Sequence, residues 1–501
     1  MRIVFLLTAL FVTAALGRAA ETAKQNETAP WERSVILIDV TRKQYDPFQP
    51  WSKRTRNGQK TGLVISDREI LTTADEMFDR TLVRLQKGGR GKWSIGEIVW
   101  IDYHANLAVV TTREETFWRD LKPVTLSSAM PADASLQILR WREGKLENRK
   151  AEFSQYTVRE GRLAAVNHVQ LEVGSEIQGV GWGEPIIANS HVIGITTSQE
   201  GRTCAATPAS FVQSILEARK QGEYRGLGFF HFYWQPAENT TSLAFLGLDG
   251  EPRGVLVIDV PARPDDGESV LKQHDVILEI DGFAIDIEGD YNDPEFGHLM
   301  LENLSTRRKF AGDEVKLKIW RDGKPLDVVY RLPKFEYTNS LLADAVYDKE
   351  PEYLIVGGLV FQPLTDEFLQ GWGADWKRRA PFRLYYYNNE PLAKDRRSLV
   401  LLSQVLPDEY NIGYQELRNL VVDKVNGQRV SRLPELRDAL QKPINGFHVI
   451  QFVQTDSLRR MVLDAGDKER NATQRVLENY RIPQEFFFAP TATNGPVALI
   501  R

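Results

Sequence analysis

The chain has 501 residues, enough for about three domains at roughly 100–200 residues each. Hydrophobic residues make up 42% and charged residues 26%, as in folded globular proteins, and the formal net charge of −5 argues against general nucleic-acid binding. The single cysteine, Cys204, excludes an intrachain disulfide framework, so hydrophobic cores must hold the fold.

The N-terminus has the features of a secretory signal peptide. Met-Arg is followed by an apolar run over 3–16 and by small residues up to Ala20, and this run is too short for a comfortable membrane span. We predict a signal peptide over 1–20 and a location in the bacterial periplasm or cell envelope. The alternative is a retained membrane anchor. No later apolar run is long enough to cross a bilayer, so no membrane span is expected after cleavage.

Residues 31–218 alternate short strands with turns, which indicates an all-β sandwich or a pair of barrels. At the end of this part, Phe211 and Ile215 lie at helical spacing and predict a helix over Ala209–Gln221. The predicted strands are Val35–Val40, Gly62–Ile65, Glu69–Thr72, Thr81–Leu85, Ile95–Asp102, Leu107–Thr111 and Ser135–Leu139.

Beyond residue 224 the pattern mixes strands with helices. The second part is predicted to contain an extended stretch Tyr224–Phe232, short helices Ser269–Lys272 and Gly297–Asn303, and a hairpin, Glu314–Arg321 with Leu326–Arg331, over Asp322-Gly323. The third part is predicted to contain strands Tyr353–Phe361, Leu399–Val405, Leu420–Asn426 and His448–Thr455, and a helix Leu433–Gln441. The shared order of these elements indicates a diverged duplication.

Several segments carry a resemblance to a known family. They are EILTTADEM (69–77), IDYHANLAVV (101–110), IQGVGWGEP (177–185), GLGF (226–229), LKQHDVILEIDG (271–282), YLIVGGLVFQPLTDEFL (353–369) and VVDKVNGQRV (421–430). Together they resemble the HtrA/Deg serine proteases, and most closely the Deg type with an unusual second PDZ domain. The resemblance implies a mainly β chain: a trypsin-like double β-barrel over 31–222, a first PDZ domain over 224–335 and a second PDZ-like α+β domain over 345–490.

The resemblance also identifies three catalytic positions, and none holds the residue of the family. Asp75 stands at the histidine position of a TNAH-type segment, and Asn106 at the aspartate position of a D-x-x-x-D-L-A segment. Trp182 stands at the serine position, and Glu184 replaces a glycine of the oxyanion loop, whose Gly183 and Pro185 remain. The resemblance therefore implies a catalytically degenerate member, a pseudoprotease.

The chemistry of these residues agrees with that interpretation. Acyl transfer needs a nucleophile, a base and a group that orients the base. An indole offers only an N–H donor, a solvated Asp75 is too weak a base for a hydroxyl, and Glu184 brings negative charge towards the place where an oxyanion must form. One alternative is an active serine endopeptidase of envelope protein quality control with a rewired catalytic centre. Another is a purely structural envelope component.

The GLGF segment carries the binding hypothesis. In PDZ domains, such a loop receives the carboxylate of a peptide that adds as a strand to a sheet edge, which assigns peptide binding to Gly226, Leu227, Gly228 and Phe229. The simpler interpretation is an ordinary strand start. The implied partners are peptides or unfolded protein segments. No cofactor is predicted, and no metal site, because Asp75 and Glu76 have no histidine at ligand spacing.

The resemblance further implies a homo-oligomer, a trimer or higher, alone or together with active Deg-like proteases. The aromatic residues Trp31, Phe48 and Trp51 suit such subunit contacts, or belong to a core. The third part shows no GLGF-like loop, and by resemblance its domain serves assembly more than ligand capture.

Overall fold

The computed structural model describes residues 30–128, 130, 135–163, 166–263, 267–336, 340–343, 347–390, 396–453 and 459–489. The predicted signal peptide over 1–20 lies outside these residues. The chain forms two compact units. The N-terminal unit comprises the described residues up to Arg42 and those from Asn57 to Phe335, and the C-terminal unit comprises Lys43–Arg56 and the described residues from Glu336 onward.

The N-terminal unit begins with a seven-stranded antiparallel sheet of order β5-β4-β1-β2-β3-β7-β6. Its core is aliphatic, with Ile36, Ile38 and Ile70 fully buried. The sheet follows a 3₁₀ turn, Trp31–Arg33, and helix α1 follows the sheet. The elements are β1 Val35–Tyr45, β2 Lys53–Ser66, β3 Glu69–Thr72, β4 Arg80–Lys87, β5 Ser94–Ile95, β6 Glu97–Asp102, β7 Leu107–Thr111 and α1 Glu115–Trp118.

A closed six-stranded barrel of order β10-β13-β12-β11-β8-β9 comes next. Helix α2 ends the barrel region at Gly222, whose φ of 75° gives the left-handed C-cap conformation that favours glycine. The predicted helix Ala209–Gln221 is confirmed with its exact bounds. The elements are β8 Leu136–Arg142, β9 Lys145–Glu160, β10 Asn167–Ser175, β11 Pro185–Ala188, β12 His191–Glu200, β13 Thr203–Pro208 and α2 Ala209–Gln221.

The rest of the N-terminal unit is a sheet of order β14-β15-β16-β20-β21, with β17 paired to β16 and a separate hairpin β18-β19. The predicted hairpin over Asp322-Gly323 is confirmed. The elements are β14 Tyr233–Pro236, α3 Thr240–Phe245, β15 Val255–Asp259, β16 Val276–Ile280, β17 Phe283–Ala284, β18 Asp290–Asp293, β19 Gly297–Met300, a 3₁₀ turn Leu301–Ser305, β20 Glu314–Arg321 and β21 Lys324–Arg331.

Two predicted helices of this region are wrong. Gly297–Asn303 begins as strand β19, which pairs with β18 before the chain enters the 3₁₀ turn. Ser269–Lys272 forms no helix, because Leu271 N–H donates to the Ser269 hydroxyl at 3.3 Å and Lys272 N–H donates to the Asp275 carboxylate at 2.7 Å. Such local acceptors compete with helical hydrogen bonds, and four residues are too few to nucleate a stable helix.

The C-terminal unit is built on a sheet of order β28-β27-β25-β24-β23-β22-β29, with β26 paired to β25. The predicted single strand Tyr353–Phe361 is wrong, because Gly357 and Gly358, both with positive φ, divide it into an antiparallel hairpin. The elements are β22 Tyr353–Val356, β23 Leu359–Pro363, α4 Asp366–Gln370, α5 Trp376–Arg379, α6 Phe382–Tyr385, a 3₁₀ turn Tyr386–Asn389, β24 Val400–Val405, a 3₁₀ turn Glu409–Asn411, β25 Leu420–Val425, β26 Gln428–Arg429, α7 Leu433–Leu440, β27 Phe447–Phe452, β28 Arg460–Asp464, α8 Asp467–Asn479 and β29 Phe486–Phe487.

The chain is mainly β, with 42% strand and 16% helix, as predicted. Phe48 and Trp51, whose role the sequence left open, pack within the C-terminal unit. The Phe48 ring lies 4.8 Å from that of Trp372, and the Trp51 ring lies 5.7 Å from that of Tyr353. Among the described residues, no helix has the length and apolar character needed to span a bilayer.

Candidate functional site

The loop before β11 is fixed against the first sheet by backbone contacts. Thr61 N–H donates to Trp182 O at 2.9 Å. Gly183 has a φ of 93°, and a Cβ at this position would lie 2.6 Å from Thr61 O. Only glycine fits this close approach without strain. The backbone geometry of the loop therefore requires Gly183, whether or not the loop is catalytic.

Asp75 and Asn106 lie together at the end of β3. The Asn106 side-chain oxygen accepts the Asp75 N–H at 2.9 Å, and its backbone oxygen accepts the Ala74 N–H at 3.2 Å. Asn106 has a φ of 51°, a conformation that asparagine tolerates better than most residues. Asp75 is only 5% exposed, so it is not the solvated carboxylate considered from the sequence.

Arg162 joins Asp75 to Trp182. Its Nε lies 2.7 Å from Asp75 Oδ2, and its guanidinium carbon lies 4.7 Å from the centroid of the Trp182 ring. This arrangement combines an ion pair with a cation–π contact. The three positions named from the sequence, Asp75, Asn106 and Trp182, therefore lie around one cluster. The guanidinium occupies the space between the position expected for the base and the position expected for the nucleophile.

Lys60 completes this cluster from β2. Its ammonium donates to Thr73 Oγ1 at 2.7 Å and to Asp75 O at 2.6 Å, and it lies 5.6 Å from the Trp182 ring. Burial lowers the pKa of Lys60 from 10.5 to about 8, although Asp75 and Glu184 oppose that shift. Sequence reasoning missed Lys60 and Arg162. The one signal for Lys60 was a lysine just before the apolar run of β2, and Arg162 had none.

Two side chains occupy the donors of the loop itself. Glu184 is 2% exposed, and its Oε2 accepts the N–H groups of Gly181 (2.9 Å) and Trp182 (2.8 Å). The Thr196 hydroxyl donates to the same oxygen at 2.5 Å. Gln199 Oε1 accepts the N–H groups of Gly179 (2.8 Å) and Val180 (3.2 Å). The four consecutive backbone N–H groups of residues 179–182 thus donate hydrogen bonds to side-chain oxygens of the protein itself. Glu184 fills this loop as an internal anion, where the sequence had suggested only an unfavourable charge.

A cavity of about 800 Å³ borders the cluster. Trp93, Trp141 and Trp182 contribute to its wall together with Lys60 and Arg140. Trp182 therefore lines an open space and does not fill it. The residue at the predicted nucleophile position, Trp182, carries no hydroxyl.

The GLGF segment lies beside β14. Leu227 is 2% exposed, and the Phe229 ring packs 5.3 Å from that of Phe335. Gly226 has a φ of 92°, in the left-handed region. A Cβ on Gly228 would lie 2.8 Å from the Leu332 Cβ, so this glycine permits close packing. Leu227 thus belongs mainly to the core, whereas the backbone of the segment leads directly to the sheet edge.

The two sheets that follow the barrel region offer different edges. Among the described residues, β14 is hydrogen-bonded to a strand on one side only, where it meets β15. In the C-terminal unit, β23 lies between β24 and β22, and β29 covers the outer side of β22. Among the described strands, β14 is thus a sheet edge, whereas β23 has a strand partner on each side.

One group of residues has the composition of a metal site. Asp286, Asp290 and His298 carry ligand-type atoms that all lie within 4.8 Å of one another. The two ring nitrogens of His298 each lie 3.2 Å from one of the two carboxylates. His298 thus lies between the two carboxylates and contacts both.

The chain is similar over most of its length to proteins named as Do-like proteases. The family model for the PDZ domain matches residues 343–486. Protease Do-like 2, chloroplastic, of Arabidopsis thaliana is 25% identical over 91% of this chain and 75% of its own length. Protease Do-like 4, mitochondrial, of the same plant is 24% identical over 87% of this chain and 81% of its own length. The solved structure of the HtrA-type protease AlgW with decapeptide is 16% identical, covers 61% of this chain and 96% of its own, and has a TM-score of 0.45.

Proposed function

We propose that this homologue of the HtrA/Do-like proteases binds peptides or unfolded protein segments without cleaving them, and acts as a scaffold, chaperone or regulator. The observation that carries the proposal is the Arg162 cluster. A guanidinium paired with Asp75 and stacked on Trp182 stands where a base and a nucleophile would have to meet.

The chemistry of the cluster opposes acyl transfer at each step. Trp182 has no nucleophilic oxygen. The Asp75 carboxylate is occupied by its ion pair with Arg162. The N–H groups of Gly181 and Trp182 already bind the Glu184 carboxylate, so a tetrahedral oxyanion would have to displace a buried anion.

The peptide site of this proposal is the edge of β14 with Gly226, Leu227, Gly228 and Phe229 at its head. Strand addition would satisfy the outer backbone groups of β14, and the glycine-containing loop would receive a terminal carboxylate. In the C-terminal unit, strand β23 has strands of the chain itself on both sides, which favours an assembly role there. Export to the bacterial periplasm or envelope, and a trimer or higher oligomer, complete the proposal.

The absence of proteolysis is tested with the purified full chain on unfolded casein, together with a fluorophosphonate probe. We expect no cleavage above buffer and no covalent labelling. Trp182→Ser should remain inactive, because the base and its orienting group are still missing. Cleavage by the unmodified chain would overturn the proposal, and cleavage by the variant would overturn the assignment of the three positions.

Peptide binding is tested by hydrogen exchange of residues 226–236 in the presence of apolar peptides with a free C-terminus. We expect slower exchange there, and a weaker effect from the same peptides with an amidated C-terminus. Unchanged exchange would show that β14 is not the edge to which these peptides bind. Gly228→Glu is an unsuitable control by itself, because the glycine packs against Leu332 and its replacement disturbs the fold.

A second candidate function, hydrolysis by a rewired centre, has one observation in its favour. Lys60 Nζ lies 2.7 Å from the Thr73 hydroxyl, and the pKa of Lys60 is lowered to about 8, a pairing that can activate a nucleophile. Thr73 is 0% and Lys60 2% exposed, so no substrate carbonyl reaches them in this conformation. Casein cleavage that is abolished by Thr73→Val would establish this candidate in place of the first.

A further inference from the structure

A surface of the C-terminal unit combines exposed aromatic rings with unpaired positive charge. It consists of helices α5 and α6 and the first residue of the following 3₁₀ turn, and we call it the α5–α6 surface. Phe382 is 76% and Tyr386 50% exposed, and their ring centroids lie 6.0 Å apart. Isolated exposed apolar residues need no explanation, but two adjacent rings beside a charge cluster form a patch with a binding character.

The charge of this surface is of one sign. Residues 376–383 contain four basic residues and no acidic one, in a chain whose net charge is −5. Lys377, Arg378 and Arg379 are exposed. Among the residues that the structure describes, none of these three side chains forms an ion pair, and Lys377 interacts only at longer range with the partly buried Asp366. Their charge is therefore available to an anionic partner.

The surface is held on a packed support. Ala380 and Leu384, at 7% and 0% exposure, enter a core cluster with Phe368 and Leu369. The indole of Trp376 is half-buried, and its ring lies 5.7 Å from that of Tyr385. Leu384 anchors α6, and the partly buried Trp376 and the buried Ala380 hold the two ends of α5. Insertion of the exposed side chains would therefore need no unfolding of the unit.

We propose that the α5–α6 surface docks the protein on an anionic phospholipid membrane, with Phe382 and Tyr386 entering the interface and the basic residues facing the lipid phosphates. Aromatic rings favour the headgroup level of a bilayer, and lysine and arginine are attracted to anionic lipid over about one Debye length. A nucleic acid would use the same charges but would require ring stacking with bases. Phe382 and Tyr386, 50° from parallel, offer no common stacking platform. The inference is independent of peptide binding at β14.

The experiment uses the full chain with a polarity-sensitive thiol dye at Tyr386→Cys, and with Phe245→Cys as the matched control. Phe245, on α3, is 90% exposed, and the native Cys204 is fully buried, so the unmodified chain serves as the labelling blank. Vesicles of phosphatidylcholine mixed with phosphatidylglycerol should shift the dye at 386 to the blue, whereas the dye at 245 stays unchanged. Because the dye reports locally, attachment through the N-terminal apolar run cannot produce the signal.

The charge dependence is tested in the same labelled chain. Lys377→Gln, Arg378→Gln and Arg379→Gln together should weaken vesicle binding by about 100-fold, at roughly fivefold per basic residue. The same change at exposed Arg253, Lys316 and Lys324 should weaken it by less than about threefold. Phosphatidylcholine vesicles alone and high salt should abolish the shift. A shift that is absent, equal at both dye positions, independent of lipid charge, or replaced by binding of a thymidine oligonucleotide would overturn the proposal.

Discussion

At the residue scale, the Arg162 ion pair is the most informative contact of the candidate site. Asp75 has a side chain only 7% exposed, whereas that of Arg162 is 36% exposed. Arg162→Ala should lower the free energy of unfolding by about 1–3 kcal/mol, because a buried carboxylate loses its cation. The measurement is urea denaturation of the purified chain.

Arg202→Ala is the matched control for this substitution. Its partner, Glu176, and Arg202 itself have side chains 84% and 75% exposed, so the free energy should change by less than about 0.5 kcal/mol. A double-mutant cycle of Arg162→Ala with Trp182→Ala should give a coupling of about 0.5–2 kcal/mol. Additive effects would mean that the stacking in the cluster contributes nothing.

Lys60 gives a prediction about pH. Its folded pKa, about 8, lies below the ordinary value of 10.5 because the ammonium is buried. Between these values the unfolded chain binds more protons than the folded chain, so the contribution of Lys60 to stability rises with pH in this window. From pH 8 to 10.5, wild type should gain up to on the order of 3 kcal/mol relative to Lys60→Met. Denaturation at several pH values measures the difference, and the exposed Lys324→Met should show no such drift.

The residues of the candidate site could be predicted where a sequence motif marks their position. They could not be predicted where only a tertiary contact brings them to the site. Asp75, Asn106 and Trp182 were named from local sequence, and the structure brings them around one cluster. Arg162 follows the long strand β9 and precedes β10 in a segment with no pattern of its own. Its approach to Trp182 depends on how the barrel closes, and that information is not local.

At the scale of elements, the loop Gly179–Pro185 is stabilised by hydrogen-bond acceptors. One is Glu184, within the loop, and the other is Gln199, on β12. Glu184→Ala would leave the N–H groups of Gly181 and Trp182 and the Thr196 hydroxyl without their acceptor. We expect a loss of about 2–4 kcal/mol in the free energy of unfolding. Glu176→Ala, a nearby exposed carboxylate, should change it by less than about 0.5 kcal/mol. Equal stability of the two variants would contradict the filled-loop description.

Elements whose apolar residues repeat regularly along the whole element were predicted well. Elements whose structure depends on a single pairing or turn were not. Leu107–Thr111 and Ala209–Gln221 match the observed bounds because their apolar spacing covers the whole element. Gly297–Asn303 was misread as a helix because its apolar residues fit both periods over so short a run. Pairing with β18 decided the outcome. Tyr353–Phe361 was misread because Val-Gly-Gly-Leu continues an apolar run while its glycines reverse the chain.

At the scale of the whole molecule, the C-terminal unit is discontinuous in sequence. It includes Lys43–Arg56, the tip of the β1–β2 hairpin, far from the rest of the unit along the chain. The backbone oxygens of Pro47 and Phe48 accept hydrogen bonds from Gln362 (2.9 Å) and Gln404 (2.7 Å). No local pattern in the hairpin indicates this destination, so the sequence left Phe48 and Trp51 undecided between subunit contact and core.

This discontinuity leads to a prediction that separates core packing from a subunit contact. The Phe48 ring packs 5.4 Å from Phe368 and 4.8 Å from Trp372, so Phe48→Ala removes a partly buried ring from the C-terminal unit. We expect the opening free energy of β22–β24 to fall by about 2–4 kcal/mol in hydrogen exchange, with β10–β13 unchanged. Phe245→Ala, at a ring 90% exposed, should alter neither. If Phe48 served an oligomer contact instead, its loss would depend on protein concentration, because dilution favours dissociated chains. A concentration-independent loss confined to the C-terminal unit is the outcome that its packing requires.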